Sequence, residues 1–280
     1  MTKTFFELHD DIIGNSLDSL DTLEEKKPVI VGGLAIQLNA FSMGRLLRTT
    51  PDVDLLTHDN VPYDDFVSNV YPEPAKFLKG IDYQVQPKRG RGNNSLKVMS
   101  GQNRDDAECF LMHWTVFSPF LYERMLDYID RQIEFSKNIK YSKVRKDVQV
   151  ASLEEIVPLK IQRSIRFGSG NMEAFVGPVY SSLIESARKA KWGFLASMPL
   201  QEWKGVIERM QENIRIKSGY NDPKLMGPYK LTKDIFDLCL AARVISEDPS
   251  TFDKDRYEQN IVRILERECQ SYQTSEHACN

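Results

Sequence analysis

The 280-residue sequence contains no apolar run near the roughly 18–20 residues that a membrane-crossing helix needs. Its first residues, "MTKTFFELHDDIIGNSL", place acids where a secretory leader requires an apolar stretch, so the expected location is cytoplasmic. Cysteine is scarce. Cys109, Cys239, Cys269 and Cys279 show no paired metal-ligand spacing and read as ordinary thiols. The four histidines are scattered too, and a zinc site is not expected. No internal repeat or low-complexity tract is present. An overall excess of positive charge is also missing, since the formal net charge is −3.

What is present is ordinary globular composition, 41% hydrophobic and 28% charged, in a chain long enough for one large domain or two smaller ones. The charge is uneven. Residues 1–27 are acidic, whereas "PKRGRGNNSLK" (Pro87–Lys97) and "KNIKYSKVRK" (Lys137–Lys146) are basic. Each basic stretch, taken alone, reads first as a solvated loop or face, with a local patch able to hold a polyanion as the alternative.

The first half mixes periods. Phe5, Leu8, Ile12, Leu17 and Leu20 recur at helical spacing. "PVIV" is a short strand stopped by Gly32 and Gly33. "LAIQLNAFSM" follows as a helix with Leu34, Leu38 and Phe41 on one face. "VDLLTH" reads as a buried strand, and Asp64–Val70 as a helix. "YQVQ" and "LKVMS" read as strands flanking the loop "PKRGRGNN", and "AECFLMHW" as another strand. After residue 150 the period becomes helical throughout. "SLEEIVPLKIQRSIRF" opens on a capping-box pair, Ser152 and Glu155. Four further helical segments follow: "VYSSLIESARKAKW", "PLQEWKGVIERMQENIRIK", "LTKDIFDLCLAARVI" and "DKDRYEQNIVRILEREC". The closing "SYQTSEHACN" reads as a frayed end. The expected class is α+β: residues 1–150 form a mixed sheet with helices, and residues 151–280 a helical bundle.

Within "RTTPDVDLL", Asp52 and Asp54 stand two apart. On a strand they share a face, with alpha carbons ~6.6 Å apart. Two such carboxylates repel unless neutralised, and a divalent cation does this directly, because Mg²⁺ prefers carboxylate and phosphate oxygens. The alternative is a turn with two solvated acids, which Pro51 favours. Gly32 and Gly33 lie between a strand and a helix, where backbone N–H groups make an anion site. Together the two segments suggest phosphates on the glycine turn and a metal between phosphate and carboxylates.

"VGGLAIQLNAFSMGRLLRTTPDVDLL" resembles the signature of the DNA-polymerase-beta-like nucleotidyltransferase superfamily. Its elements are a hydrophobic residue, a Gly–Gly or Gly–Ser pair, a helix, and Asp-x-Asp on the next strand. Arg48, Thr50, Asp52 and Asp54 resemble the Arg-x-Ser/Thr-x-Asp-x-Asp pattern of the AbiEii/MenT nucleotidyltransferases, a family of toxin–antitoxin and phage-defence toxins. "VASLEEIVPLKIQRS" is similar to that family's third motif, in which a strand leads into a helix carrying a Lys, here Lys160, with Arg163 one turn on. "KLTKDIFDLCLAA" is similar to its Arg/Lys-Asp-x-x-Asp-Leu segment, which maps onto Lys233, Asp234, Asp237 and Leu238. The resemblance covers residues 29 to 56 and 149 to 242. Each position also has a plainer reading. Lys160 can snorkel from a half-buried face. Asp234, just after Thr232, can sit in a first helical turn and pair with the helix dipole. Arg163 can be an exposed helical residue.

The resemblance implies two-metal phosphoryl chemistry with Mg²⁺ or Mn²⁺ and an NTP substrate. The expected metal ligands are Asp52 and Asp54, joined by a third carboxylate at Glu108 or Asp106, with Glu108 the better fit and the expected base. Gly32, Gly33, Arg48 and Thr50 would bind the nucleotide. Lys160 would meet a phosphate, with Arg163, Asp234 and Asp237 shaping a wall from the helical half. The implied activity is NMP transfer to RNA, with tRNA as an acceptor, in a toxin with an antitoxin protein as partner and no membrane. Two other readings are transfer to a small molecule such as an aminoglycoside or to a protein hydroxyl, and a non-catalytic NTP-binding protein of the same fold.

Overall fold

The computed structural model of the chain describes residues 28–41, 48, 52–57, 64, 83–89, 93–100, 109–117, 126–140, 147–168, 173–216 and 222–276. The class is α+β. Two compact units are formed: Met1–Ser152 with Arg209–Asp222, and Leu153–Glu208 with Pro223–Asn280.

The first unit is built on a mixed sheet. Among the described residues it has seven strands in the order β3-β4-β5-β2-β1-β7-β6. They are β1 (Val29–Val31), β2 (Asp52–Leu56), β3 (Tyr83–Arg89), β4 (Asn93–Ser100), β5 (Cys109–Phe117), β6 (Lys137–Ile139) and β7 (Val148–Val150). β1 runs antiparallel to β2 and parallel to β7, and β2 runs parallel to β5. The central strands are apolar because both faces are covered: Val29, Ile30, Val53, Leu55 and Val150 are fully buried. β3 and β4 form an antiparallel hairpin in which Lys88 pairs with Ser95 and Arg89 with Asn94. The basic stretch expected as a loop is therefore largely strand. Among the described residues β3 is the outermost strand of the sheet, the kind of position where proline is tolerated, and Pro87 lies in it. The short β6 and β7 pair as an antiparallel hairpin, and strands of three residues carry too little pattern to be legible in a sequence.

Helix α1 (Gly32–Phe41) packs on β1, β2 and β7. It is not buried on one face alone, as expected from Leu34 and Leu38. Leu34, Ala35, Ile36, Gln37, Leu38, Asn39 and Ala40 are all buried. The buried Asn39 amide donates to the Ala35 carbonyl at 2.8 Å and to the Ala151 carbonyl at 3.2 Å, which ties α1 to the end of β7. Helix α2 (Leu126–Glu134) precedes β6. The helices expected at 5–20 and, apart from Asp64, at Asp64–Val70 lie outside the described residues.

The second unit is helical: α3 (Leu153–Gly168), α4 (Glu173–Arg188), α5 (Trp192–Ala196), the first part of α6 (Leu200–Ile216), α7 (Pro223–Glu247), a 3₁₀ turn (Pro249–Thr251) and α8 (Lys254–Glu276). α7 is its centre, and every residue from Leu231 to Ala242 is buried. The helix begins well before the expected "LTKDIF" and runs through Pro228, where the Thr232 hydroxyl donates to the Pro228 carbonyl at 2.8 Å. α8 continues through "SYQTSE", which reads as a frayed end from its polarity alone. Its start is held by side chains. The Asp253 carboxylate accepts the Arg256 N–H at 3.0 Å, as an N-cap does, and Glu154 on α3 accepts the Asp253 N–H at 2.8 Å. Trp192, Phe252 and Tyr257 form an aromatic cluster with centroids 5.1–5.5 Å apart, and the Tyr257 hydroxyl donates to the Ala187 carbonyl at 2.6 Å. Among the described residues, no helix is long and apolar enough to cross a membrane.

Helix α4 ends in a Schellman motif. The Lys191 N–H reaches the Ser186 carbonyl at 2.8 Å and the Ala190 N–H reaches the Ala187 carbonyl at 2.9 Å. The left-handed position is filled by Ala190, at φ 52°, where glycine carries no Cβ penalty. Ala190→Gly is therefore expected to raise the unfolding free energy by ~0.5–1 kcal/mol. Urea denaturation followed by circular dichroism would check this, and a destabilised variant would refute the strain argument.

Candidate functional site

The first unit brings the glycine turn and the acidic strand together. Antiparallel pairing of β1 with β2 sets Val31 opposite Asp54. The next residue, Gly32, starts α1 with φ +72°, a left-handed conformation natural to glycine. A Cβ built on Gly32 would lie 2.8 Å from the Asp54 Oδ2 atom. The backbone at the helix start thus lies close to the carboxylate, and a Cβ there would have to displace Oδ2. Asp52 and Asp54 both belong to strand β2, which begins at Asp52, so they stand on a strand and not in a turn. The half-buried Asp54 is flanked by fully buried Val53 and Leu55.

Two hard carboxylate-bearing residues on one strand, beside a backbone cradle that a Cβ would fill, suit a divalent oxygen-seeking cation and phosphate oxygens. The N-terminal end of α1 also favours the Asp54 charge through the helix dipole. Arg48, four residues before β2, is 3% exposed. Thr50, Asp106 and Glu108 lie outside the described residues. On the neighbouring parallel strand β5, His113 is in register with Asp52 and Thr115 with Asp54. Neither stood out in the sequence, because only strand pairing aligns them with the acids. Among the described residues, no three or more His, Cys, Asp or Glu form a metal-holding group.

The second unit joins the later motif residues. Lys160 and Arg163, one turn apart on α3, face Asp234 and Asp237, one turn apart on α7. The Lys160 ammonium donates to Asp234 Oδ1 at 2.8 Å and to Asp237 Oδ2 at 2.7 Å. Arg163 forks onto Asp234, with Nε donating to Oδ2 at 2.7 Å and Nη2 to Oδ1. Both carboxylates are fully buried and the Lys160 side chain is 5% exposed, whereas that of Arg163 is 45% exposed. Asp234 is far from the first turn of α7, so the dipole explanation does not apply to it. Neither does Lys160 snorkel, because its ammonium ends in protein. Lys233 instead stands 5.1 Å from the Tyr229 ring centroid.

Burial alone would raise the Asp234 pKa, but Lys160 and then Arg163 outweigh it and hold the carboxyl below its ordinary value of 3.8. A lowered folded value means that the stabilisation is present above 3.8 and is lost as pH falls through the still lower folded pKa. Deeper in α7, burial pushes the Cys239 thiol up to about 12.

Two outcomes are expected. Gly32→Ala should cost about 1–2 kcal/mol from the left-handed backbone alone, with more from displacement of Asp54, as read by urea denaturation. Asp234→Asn should lose stability at pH 7 and flatten the fall of the unfolding free energy below pH 4, because one carboxylate of the cluster no longer titrates. An unchanged acid limb would show that Asp234 does not carry it.

No family model matches the chain, and no curated protein matches it. Among solved structures, the chain is similar to the crystal structure of an antigenic nucleotidyltransferase-like protein from Paracoccidioides brasiliensis. That likeness covers 59% of this chain and 71% of the other, at 18% identity and a TM-score of 0.34.

Proposed function

We propose that this chain is a metal-dependent nucleotidyltransferase that moves NMP from an NTP to an RNA acceptor, with tRNA the first acceptor to test. The observation that carries the reading is the apposition of Gly32 and the Asp54 carboxylate at the junction of β1, β2 and α1. In this reading Asp52 and Asp54 hold Mg²⁺ or Mn²⁺, with Glu108 or Asp106 as the third acid and base. A bound divalent cation would neutralise phosphate charge and lower the pKa of the attacking hydroxyl. The chain's own part is to orient. The backbone of Gly32 and Gly33 receives phosphate oxygens without a side chain in the way, and Arg48 and Thr50 complete the nucleotide contacts.

The acceptor hydroxyl oxygen bonds to the α-phosphorus, the bond from that phosphorus to the bridging oxygen breaks, and pyrophosphate leaves. The hydroxyl proton passes to the base. Lys160, Arg163, Asp234 and Asp237, which the resemblance ties to the same activity, supply a fixed charged cluster in the helical unit. The basic residues Lys88, Arg89 and Lys97 of the β3–β4 hairpin support a polyanionic acceptor, as does Lys137 on β6. A cytoplasmic toxin of the AbiEii/MenT kind, held by an antitoxin protein, is the biological role that fits this chemistry.

Incubation of the protein with each α-labelled NTP, Mg²⁺ or Mn²⁺ and total RNA is expected to label an RNA species. Asp54→Ala should lower that transfer at least 100-fold, as expected for loss of a ligand that holds the catalytic cation. Label on an aminoglycoside or on protein would change the acceptor. NTP binding without transfer, unaffected by Asp54→Ala, would leave Asp54 as a structural partner of the α1 terminus.

A further inference from the structure

Alternation along its strands gives the sheet of the first unit two unlike faces. One is apolar. Leu96, Trp114 and Val53 form one row of it, and Val116, Leu55 and Ile30 the next. Val53, Leu55 and Ile30 are fully buried. The other face is polar over β2 to β3. Asp52, His113, Lys97 and Gln86 stand in register across β2, β5, β4 and β3, and Asp54, Thr115, Ser95 and Lys88 form the row beside them. All these pairs precede the register shift between Val98 and Met99. Such a pattern belongs to a sheet with one face on the core and the other toward water or a ligand. β3, β4 and β5 contain no Asp or Glu, so the acids of this face stand on β2 and the lysines on β4 and β3.

The strand order sets unlike neighbours on the two sides of β2. On the β1 side is the Gly32 turn, beside Asp54. On the β5 side His113 and Thr115 come first and the lysines after them. With strands about 4.8 Å apart, the Lys97 alpha carbon is about 10 Å from that of Asp52, and that of Lys88 about 14 Å from that of Asp54. A triphosphate on the glycine turn would shed pyrophosphate toward β1, and in-line displacement then brings the attacking hydroxyl from the β5 side. We infer that a single-stranded RNA acceptor lies across this polar face, with its reactive end at Asp52 and Asp54 and its following phosphates on Lys97 and Lys88. Cations set one behind the other, away from the reacting phosphorus, suit a polymer whose phosphates continue in that direction. Arg89 pairs with Asn94, in the row of Val116, and belongs to the apolar face. The path rests on the nucleotidyltransferase reading for which end reacts. Register and charge concern β2 to β5 alone.

The test is fluorescence anisotropy of a short fluorescein-labelled single-stranded RNA of mixed sequence, titrated with the full chain at several salt concentrations. Lys88→Gln and Lys97→Gln should each lower the slope of log affinity against log salt by ~0.7, and the double variant by about twice that. Arg89→Gln removes the same charge from the other face and should weaken binding less than either. The double variant should keep its affinity for a fluorescent ATP analogue, which approaches from the β1 side. Circular-dichroism melting identifies any variant that fails to fold. Lys88→Arg with Lys97→Arg keeps both charges and should keep the wild-type slope.

An Arg89→Gln variant as weak as either lysine variant would overturn the path. So would a double variant that binds RNA as the wild type does, a wild type that binds no RNA, or tighter binding of a DNA strand of the same sequence. Loss of the ATP analogue in place of RNA would put the lysines on the donor and overturn it too. The activity is judged separately by label transfer. RNA held through Lys88 and Lys97 but never labelled would sink the nucleotidyltransferase reading and leave the RNA-binding face standing. Labelling of RNA that the double variant does not diminish would leave the activity standing and sink the path.

Discussion

The arrangement of the first unit depends on the pairing of β1 with β2. Because Val31 lies opposite Asp54, the residue that turns the chain from strand into helix must pass the Asp54 carboxylate. A Cβ there would have to displace the Asp54 Oδ2 atom, and the positive φ of Gly32 independently favours glycine. One register thus determines three things: where α1 starts, which residue can start it, and which acid meets its N-terminal end. A slip of one residue would turn Asp54 to the other face of the sheet and remove all three.

A second constraint works in the helical unit. α7 is buried over every residue from Leu231 to Ala242, which suits a central helix but leaves Asp234 and Asp237 with no water. Carboxylates in that position require partners, and α3 supplies them at the matching one-turn spacing. Breaking such a buried cluster by removing one member typically costs ~3–5 kcal/mol, although a hydrophobic replacement of the whole set can be neutral. The cluster joins α3 to α7 through Lys160 and Arg163 on one helix and Asp234 and Asp237 on the other. α3 is fixed again at its start, where Glu154 accepts from the α8 terminus and meets Arg256 at 3.0 Å.

Both devices have the same economy of parts. Charged groups sit on rigid elements, a strand and two helices, and their directions are set by packing rather than by loops. The basic hairpin differs, since among the described residues Lys88 and Arg89 lie on the outermost strand of the sheet and Lys97 on the strand beside it.

The sequence by itself determined the α+β class, the strand–glycine–helix turn, the acidic strand and the presence, though not the ends, of the long helices. Each of these leaves a local mark, either a period or a punctuating residue. It also named the four charged residues of the helical cluster, but not what they touch. Only the tertiary structure decided that Lys160 ends on Asp234 and Asp237, because residues 74 and 77 positions apart have no local pattern in common. Only the structure moved Asp234 from a supposed helix start to mid-helix, because Pro228, which reads as a stop, is carried inside α7. The alignment of His113 and Thr115 with the two acids is equally a matter of pairing between distant strands. Periodicity shows which face of an element is apolar. The partner across that face is chosen by packing, and in this chain packing sets Gly32 against Asp54 and Arg163 against Asp234.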